Sequence, residues 1–350
     1  MHKFLRERGR PSARPRNGEA DSLDGAGTRR IVLWAVVLLL ALGALFFARG
    51  REGSDDGGPD GSARGMREEP SVVVVHPDGR REELPMERYV AGVVAGEMGR
   101  LPARGETEEA DWPVEAYAAQ AILARSFAMQ YLEESGGNEI PAEHEQAQAY
   151  SPGNIFPAIE RGVEMTRGQV MMHEGRLVRA WFHSYSGGRT ATAREGLGHE
   201  EDPPYIKSVR VGENEFAPED VTDWEFEMDL DEVRRKLAEI DVDVGPVADV
   251  RIKERGPSER VTVFEVDGPA GREAVGGNDF RLAVGADRLK STLIEEFEVE
   301  DGRLRARGRG FGHGVGLSQW DAYKMAREGR SPEEIVQFFF DGIEIRKLWE

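Results

Sequence analysis

Eighteen consecutive apolar residues without a charge, Ile31 to Ala48, divide this 350-residue chain into parts that cannot belong to one globular fold. The run is about the minimum length for a helix that crosses a bilayer. Arg29 and Arg30 stand immediately before it, and cationic residues on that side place the N-terminus in the cytoplasm. A cleaved signal peptide is the competing reading. Its apolar region would be shorter, about 7–15 residues, whereas Leu and Phe continue here beyond the small-residue stretch Ala41-Leu42-Gly43. Charge also changes sign across the run, from +4 over residues 1–30 to −24 over residues 51–350. The expected organisation is a disordered cytoplasmic tail (1–30), a single-pass transmembrane signal-anchor (31–48), a flexible linker (49–70) and an ordered domain (71–350). On this reading the protein sits in the cell membrane with its C-terminal domain outside the cytoplasm.

The net charge of −19 argues against nucleic acid as a partner of the whole surface. Cysteine is absent, which removes disulfides, thiolate zinc sites, iron–sulfur clusters and cysteine nucleophiles together. No cofactor is expected.

Within 71–350, Ser71–His76 is β-branched and is turned by Pro77-Asp78-Gly79, so a hairpin starts there. Met86, Tyr89, Val90, Val93 and Val94 recur at helical spacing up to Glu97-Met98-Gly99. A second helix runs from about Pro113 to Glu134, with proline at its first turn and Gly136-Gly137 as its stop. Later come strand patterns at 169–173, 179–183, 205–210, 247–253, 260–267 and 297–306. Helices are expected over 230–240, 318–327 and 331–339. The expected class is α+β: short strands and glycine-rich loops with a helical N-terminal layer, preceded by one transmembrane helix.

Four segments stand out for chemistry: GVVAGEMG (92–99), HSYSGGRT (183–190) and GRGFGHGVGLSQW (308–320) combine glycine with polar or titratable residues, and DPPYIKS (202–208) combines them with proline. Glu97 closes an apolar helix. The helix dipole and apolar surroundings both favour its protonated form, as a general acid requires. A solvent-facing glutamate at a helix end is the bland alternative. His183 and His313 could bind ligand, transfer protons, coordinate metal or simply hold loop backbone. Two histidines without cysteine fall short of a zinc site unless a carboxylate or His199 joins them. Ser184 and Ser186 lack the Gly-x-Ser-x-Gly elbow of a serine nucleophile, and the alternating glycines from 308 to 316 do not match a dinucleotide fingerprint.

These segments, in this order, resemble the stage II sporulation protein D family, which includes the amidase enhancer LytB. The resemblance rests on MERYVAGVVAGEM (86–98), WPVEAYAAQAILARSFA (112–128), HEQAQAY (144–150), VRAWFHSYSGGRT (178–190), PPYIKSV (203–209), NDFRLAVGADRLKST (278–292) and the stretch 307–345. It implies a lytic transglycosylase acting on peptidoglycan glycan strands, with Glu97 as catalytic acid/base. It implies Arg125, Gln148, His183, Ser184 and His313 at or near a glycan groove. Some family members bind zinc through cysteine and histidine, and this chain has no cysteine. The other expectation is a non-catalytic amidase enhancer that binds wall glycan or a cell-wall amidase.

Overall fold

The computed structural model describes residues 68–105, 111–142 and 147–350. The expectations for the tail, the apolar run and most of the linker fall outside them. The chain enters as an antiparallel hairpin, β1 (Ser71–Val75) and β2 (Arg81–Pro85), and passes directly into α1 (Met86–Glu97). Pro85 precedes the helix, and Gly99 ends it in the left-handed region (φ +56°). The next helix, α2 (Val114–Ser135), is stopped by the left-handed Gly136. β3 (Glu139–Pro141) returns to pair parallel with β1. Then come α3 (Pro157–Met165), β4 (Gln169–His173), β5 (Arg176–Leu177), β6 (Phe182–His183) and the short α4 (Ala193–Leu197) and α5 (Glu219–Thr222).

α2 decides how this half is built. From Ala116 to Ser126 its residues are buried on every side of the helix, and a helix apolar all round must be enclosed. α1, α3 and β4 cover part of it. The rest is covered from the far end of the chain by α8 (Gln319–Arg327) and α9 (Pro332–Phe339). The last strand, β14 (Glu344–Lys347), pairs antiparallel with β4.

Between these lies a second hydrophobic cluster, centred on Phe226, Val233, Phe264 and Phe280. Its elements are β7 (Trp224–Asp229), α6 (Leu230–Ala238), β8 (Asp249–Arg255), β9 (Val261–Gly268), β10 (Gly271–Gly276), α7 (Gly277–Val284), β11 (Ile294–Glu300) and β12 (Arg303–Gly308). They form two antiparallel three-stranded sheets, β10-β9-β8 and β11-β12-β7. Beyond β12, the strand β13 (Leu317–Ser318) pairs parallel with β6.

The expected α+β class is therefore corrected. The described residues form a mixed α/β fold with helices interleaved among strands. The helical layer is not N-terminal, because α2 needs partners from both ends of the chain. Nor is a transmembrane helix part of what is described. Among the described residues no helix is long and apolar enough to cross a membrane.

Candidate functional site around Glu97 and the glycine-rich strand pair

Glu97 is the last residue of α1 and is half-buried. Its Oε1 accepts a hydrogen bond from the Ala149 amide at 2.7 Å. Glycine makes that contact possible. Gly92 and Gly96 lie one helical turn apart, on the same side of α1. The segment 148–151 crosses that side, and the Ser151 amide donates to the Gly92 carbonyl at 2.9 Å. A Cβ at Gly96 would stand 2.5 Å from the Ala149 carbonyl oxygen, and one at Gly92 would stand 2.3 Å from the Tyr150 ring. Tyr150 in turn stacks on Tyr89, with ring centroids 5.5 Å apart. Gly96→Ala is thus expected to push the crossing segment off the helix. Overpacking of this kind costs about 1–3 kcal/mol, so a thermal melt should show the loss, and the Ala149 anchor of Glu97 should go with it. A melt unchanged from wild type would mean that the segment is not held against α1.

Gln148, next to that anchor, is buried, and neither end of its amide has a hydrogen-bond partner among the described residues. Such uncommitted buried polar groups are rare and costly in folded proteins.

The other glycine-rich segments meet on the parallel pair β6–β13, where Ser318 stands opposite His183. The Trp320 amide donates to the Ser184 carbonyl at 3.0 Å. The Val315 peptide holds both histidines: its carbonyl lies 3.2 Å from His183 Nδ1, and its amide donates to His313 Nδ1 at 3.0 Å. His183 therefore carries its proton on Nδ1 and His313 accepts on Nδ1. The two rings are 5.7 Å apart. His183 Nε2 is buried without a partner among the described residues. Among the described residues no group of three His, Cys, Asp or Glu side chains could hold a metal ion. His199 instead packs edge-on against Trp181.

Burial, and then the neighbouring His313 and Arg260, hold the His183 pKa well below the usual 6.5. The unfolded chain then binds a proton near pH 6.5 that the folded chain refuses, so stability falls as pH drops through and below that value. A series of melts from pH 7.5 to pH 5 should show this decline, and His183→Gln should flatten it. An equal decline in the variant would assign the effect to another group.

Gln319, which sequence reasoning passed over, joins the two regions. It is the first residue of α8, and its Nε2 donates to the Glu97 carbonyl at 3.4 Å. Behind it, buried Asn214 donates to the Trp320 carbonyl at 2.8 Å and to Asp321 Oδ1 at 3.0 Å. Ser186 donates to the other oxygen of Asp321 at 2.5 Å. Ser186 is thus bound into the frame.

Arg260, also unanticipated, reaches in from the start of β9. Fully buried, it donates to the carbonyls of Ser186 (2.7 Å) and Arg189 (2.9 Å). Burial lowers its pKa to about 10, which still leaves it a cation at neutral pH. A Cβ at Gly314 would stand 2.6 Å from the Arg260 guanidinium. That glycine therefore serves packing, not the close approach of a ligand.

Arg125 lies elsewhere. It is fully buried, and its guanidinium is taken up by Glu87 and by the Gln169 carbonyl. So of the residues expected at one groove, the structure ties Glu97 to the segment bearing Gln148, and, through Gln319, to the strand pair that carries His183, with Ser184 directly after β6 and His313 held at the Val315 peptide before β13. Arg125 belongs to a separate buried ion pair.

Residues 79–173 match the family described as stage II sporulation protein (SpoIID), and residues 201–316 match a domain of unknown function, DUF8618. An uncharacterized protein of Brachyspira hyodysenteriae is 27% identical over 267 residues, covering 75% of this chain and 67% of that one. Stage II sporulation protein D of Bacillus subtilis is 28% identical over 281 residues, 75% of each chain. The amidase enhancer of Bacillus subtilis is 22% identical over 274 residues, covering 67% of this chain but 38% of that protein. Glu97 and its Ala149 anchor both fall inside the first matched segment. Through residues 79–173, this chain is similar to the stage II sporulation protein D (SpoIID) family.

Proposed function

We propose that this protein is a peptidoglycan lytic transglycosylase that cleaves the bond between N-acetylmuramic acid and N-acetylglucosamine, with Glu97 as the single acid/base. The observation that carries the reading is the fixing of the Glu97 carboxyl. One oxygen is held by the Ala149 amide while the helix carrying it is locked by Gly92 and Gly96. Ordinary glycosidases need two carboxyl groups, one as acid and one as base or nucleophile. Here one group serves twice. Glu97 first gives its proton to the bridging oxygen. As carboxylate it then takes the proton from the muramoyl C6 hydroxyl, whose oxygen attacks C1 and closes a 1,6-anhydro ring. Gln148, His183, Ser184 and His313 supply polar groups around the sugar. The domain works outside the cytoplasm, where its substrate is.

The test incubates the full-length protein with purified glycan strands and weighs the products. Anhydro ends, lighter by one water than hydrolysed ends, support the reading, and hydrolysed reducing ends sink it. A second reading, a non-catalytic enhancer of a cell-wall amidase, is favoured by the similarity to the amidase enhancer. It requires no glycan product and a higher rate when an amidase is added.

A further inference from the structure

A cleft of about 690 Å³ opens beside the strand pair, and four arginines line it: Arg104, Arg189, Arg210 and Arg309. Many arginines of this acidic protein meet carboxylates. On β12, for example, Arg303 and Arg305 pair with Glu227, and Arg307 pairs with Asp223. Among the described residues, the cleft arginine that does so is Arg309, with Glu295 at 3.2 Å. Arg104 donates instead to the Ala217 carbonyl at 3.0 Å and to the Thr222 hydroxyl. Arg189 donates through Nε to the Ser208 hydroxyl at 3.1 Å. Neutral acceptors orient these guanidinium groups without cancelling their charge. Arg210 makes no ion pair among the described residues. Three arginines without a carboxylate partner among the described residues therefore gather around one cleft.

Two further observations point the same way. Buried Arg260 stands behind the wall, since it donates to the carbonyl of Arg189 and lies 3.4 Å from the Ser258 hydroxyl, and both residues line the cleft. Of the cleft's three carboxylates, Glu215 is already paired with Lys324 at 3.2 Å, which leaves Glu213 and Glu259 beside Arg104, Arg189 and Arg210.

We infer that this cleft is a binding site for an oxyanion, phosphate or carboxylate, carried on a larger chain. Guanidinium forks match both groups bidentately, and the volume far exceeds that of a free ion. The cleft neighbours the proposed reaction centre, because Asn214 lines it while binding the Trp320 carbonyl, one residue from Gln319. The inference does not rest on the chemistry at Glu97, since binding is measured without turnover.

The test is calorimetric titration of the full-length protein at low ionic strength. The probes are inorganic phosphate, acetate, a glycerol-phosphate oligomer, an oligoglutamate and a neutral N-acetylglucosamine oligomer. At least one anionic oligomer is expected to bind more tightly than either free ion and to weaken with added salt. Preference between the two oligomers identifies the source of the anion. Arg189→Gln and Arg210→Gln should each weaken that binding about tenfold, the loss of one charge-assisted contact. Arg303→Gln, in the paired ladder, should not. Arg210 is exposed, so its variant retains the fold, and an unchanged melt checks this. Absence of anion binding, or equal binding by wild type and the Arg189→Gln/Arg210→Gln double variant, overturns the inference. Binding of the neutral oligomer alone overturns it while leaving the glycan reading intact.

Discussion

Glu97→Gln is expected to lower turnover on glycan strands by about 10²–10⁴-fold, the usual contribution of general acid–base catalysis. Glutamine keeps the size and shape of the side chain. Its amide oxygen can still accept the Ala149 N–H that now reaches Oε1, so the crossing segment should stay in place. What disappears is the proton for the bridging oxygen and the base for the C6 hydroxyl. Because one group is assigned both steps, its loss should suppress formation of the anhydro ring rather than divert the reaction to water. Glycan binding should persist, since a neutral amide resembles a protonated acid. Mass spectrometry of the products and circular dichroism of the variant read both halves of the expectation. Full activity in a folded Glu97→Gln would move the acid elsewhere, with Glu115 in the first turn of α2 as the next candidate.

Some of this was legible in the chain and some was not, for physical reasons. The hairpin at β1, helices α1 and α2, and the last two helices follow their sequence periods, because each carries strong local signals: a proline before its first turn, a capping serine at Ser331, a glycine stop. The stretch 297–306 misled. Apolar residues alternate with charged ones on both sides of Asp301-Gly302, which suggests one strand, yet the structure folds it into β11 and β12 around that dipeptide, both of whose residues have positive φ. Asp-Gly is a recognised two-residue hairpin signal, so the information was present there. Residues 205–210 suggest a strand but make only isolated bridges, at Ile206 and Arg210. The helix α7 was missed, since it is short and starts on two glycines. At the site, Glu97 stood out because a lone carboxyl closed an apolar helix. Gln319 and Arg260 did not, because their roles depend on partners 222 and 74 residues away. No local pattern encodes such contacts. The alternating glycines from 308 to 316 pack against Arg260 and the neighbouring strand, and their spacing alone does not separate such packing from the close approach of a ligand.

Arg125 carries the largest stability effect expected of a single side chain. Its Nε donates to Glu87 Oε1 at 3.0 Å and its Nη2 to Oε2 at 2.5 Å, while Nη1 donates to the Gln169 carbonyl at 2.8 Å. Glu87 Oε1 also accepts from the Gly168 amide at 2.9 Å and from Trp349 Nε1 at 3.0 Å. One buried pair therefore ties the first turn of α1, the middle of α2, the entry to β4 and the C-terminal tryptophan. Burial pulls the Arg125 pKa down and the facing carboxylate pulls it back. Removing one partner leaves the other charge buried and alone, at a cost of about 3–5 kcal/mol. Glu87→Gln and Arg125→Met should each lower the melting temperature sharply. The double variant Glu87→Gln/Arg125→Met should lose less than the two single losses added, since neither charge is then left unpaired. Chemical denaturation of the three variants measures this directly. Should Arg125→Met melt with the wild type yet lose glycan binding, the guanidinium would belong to the substrate and not to the fold.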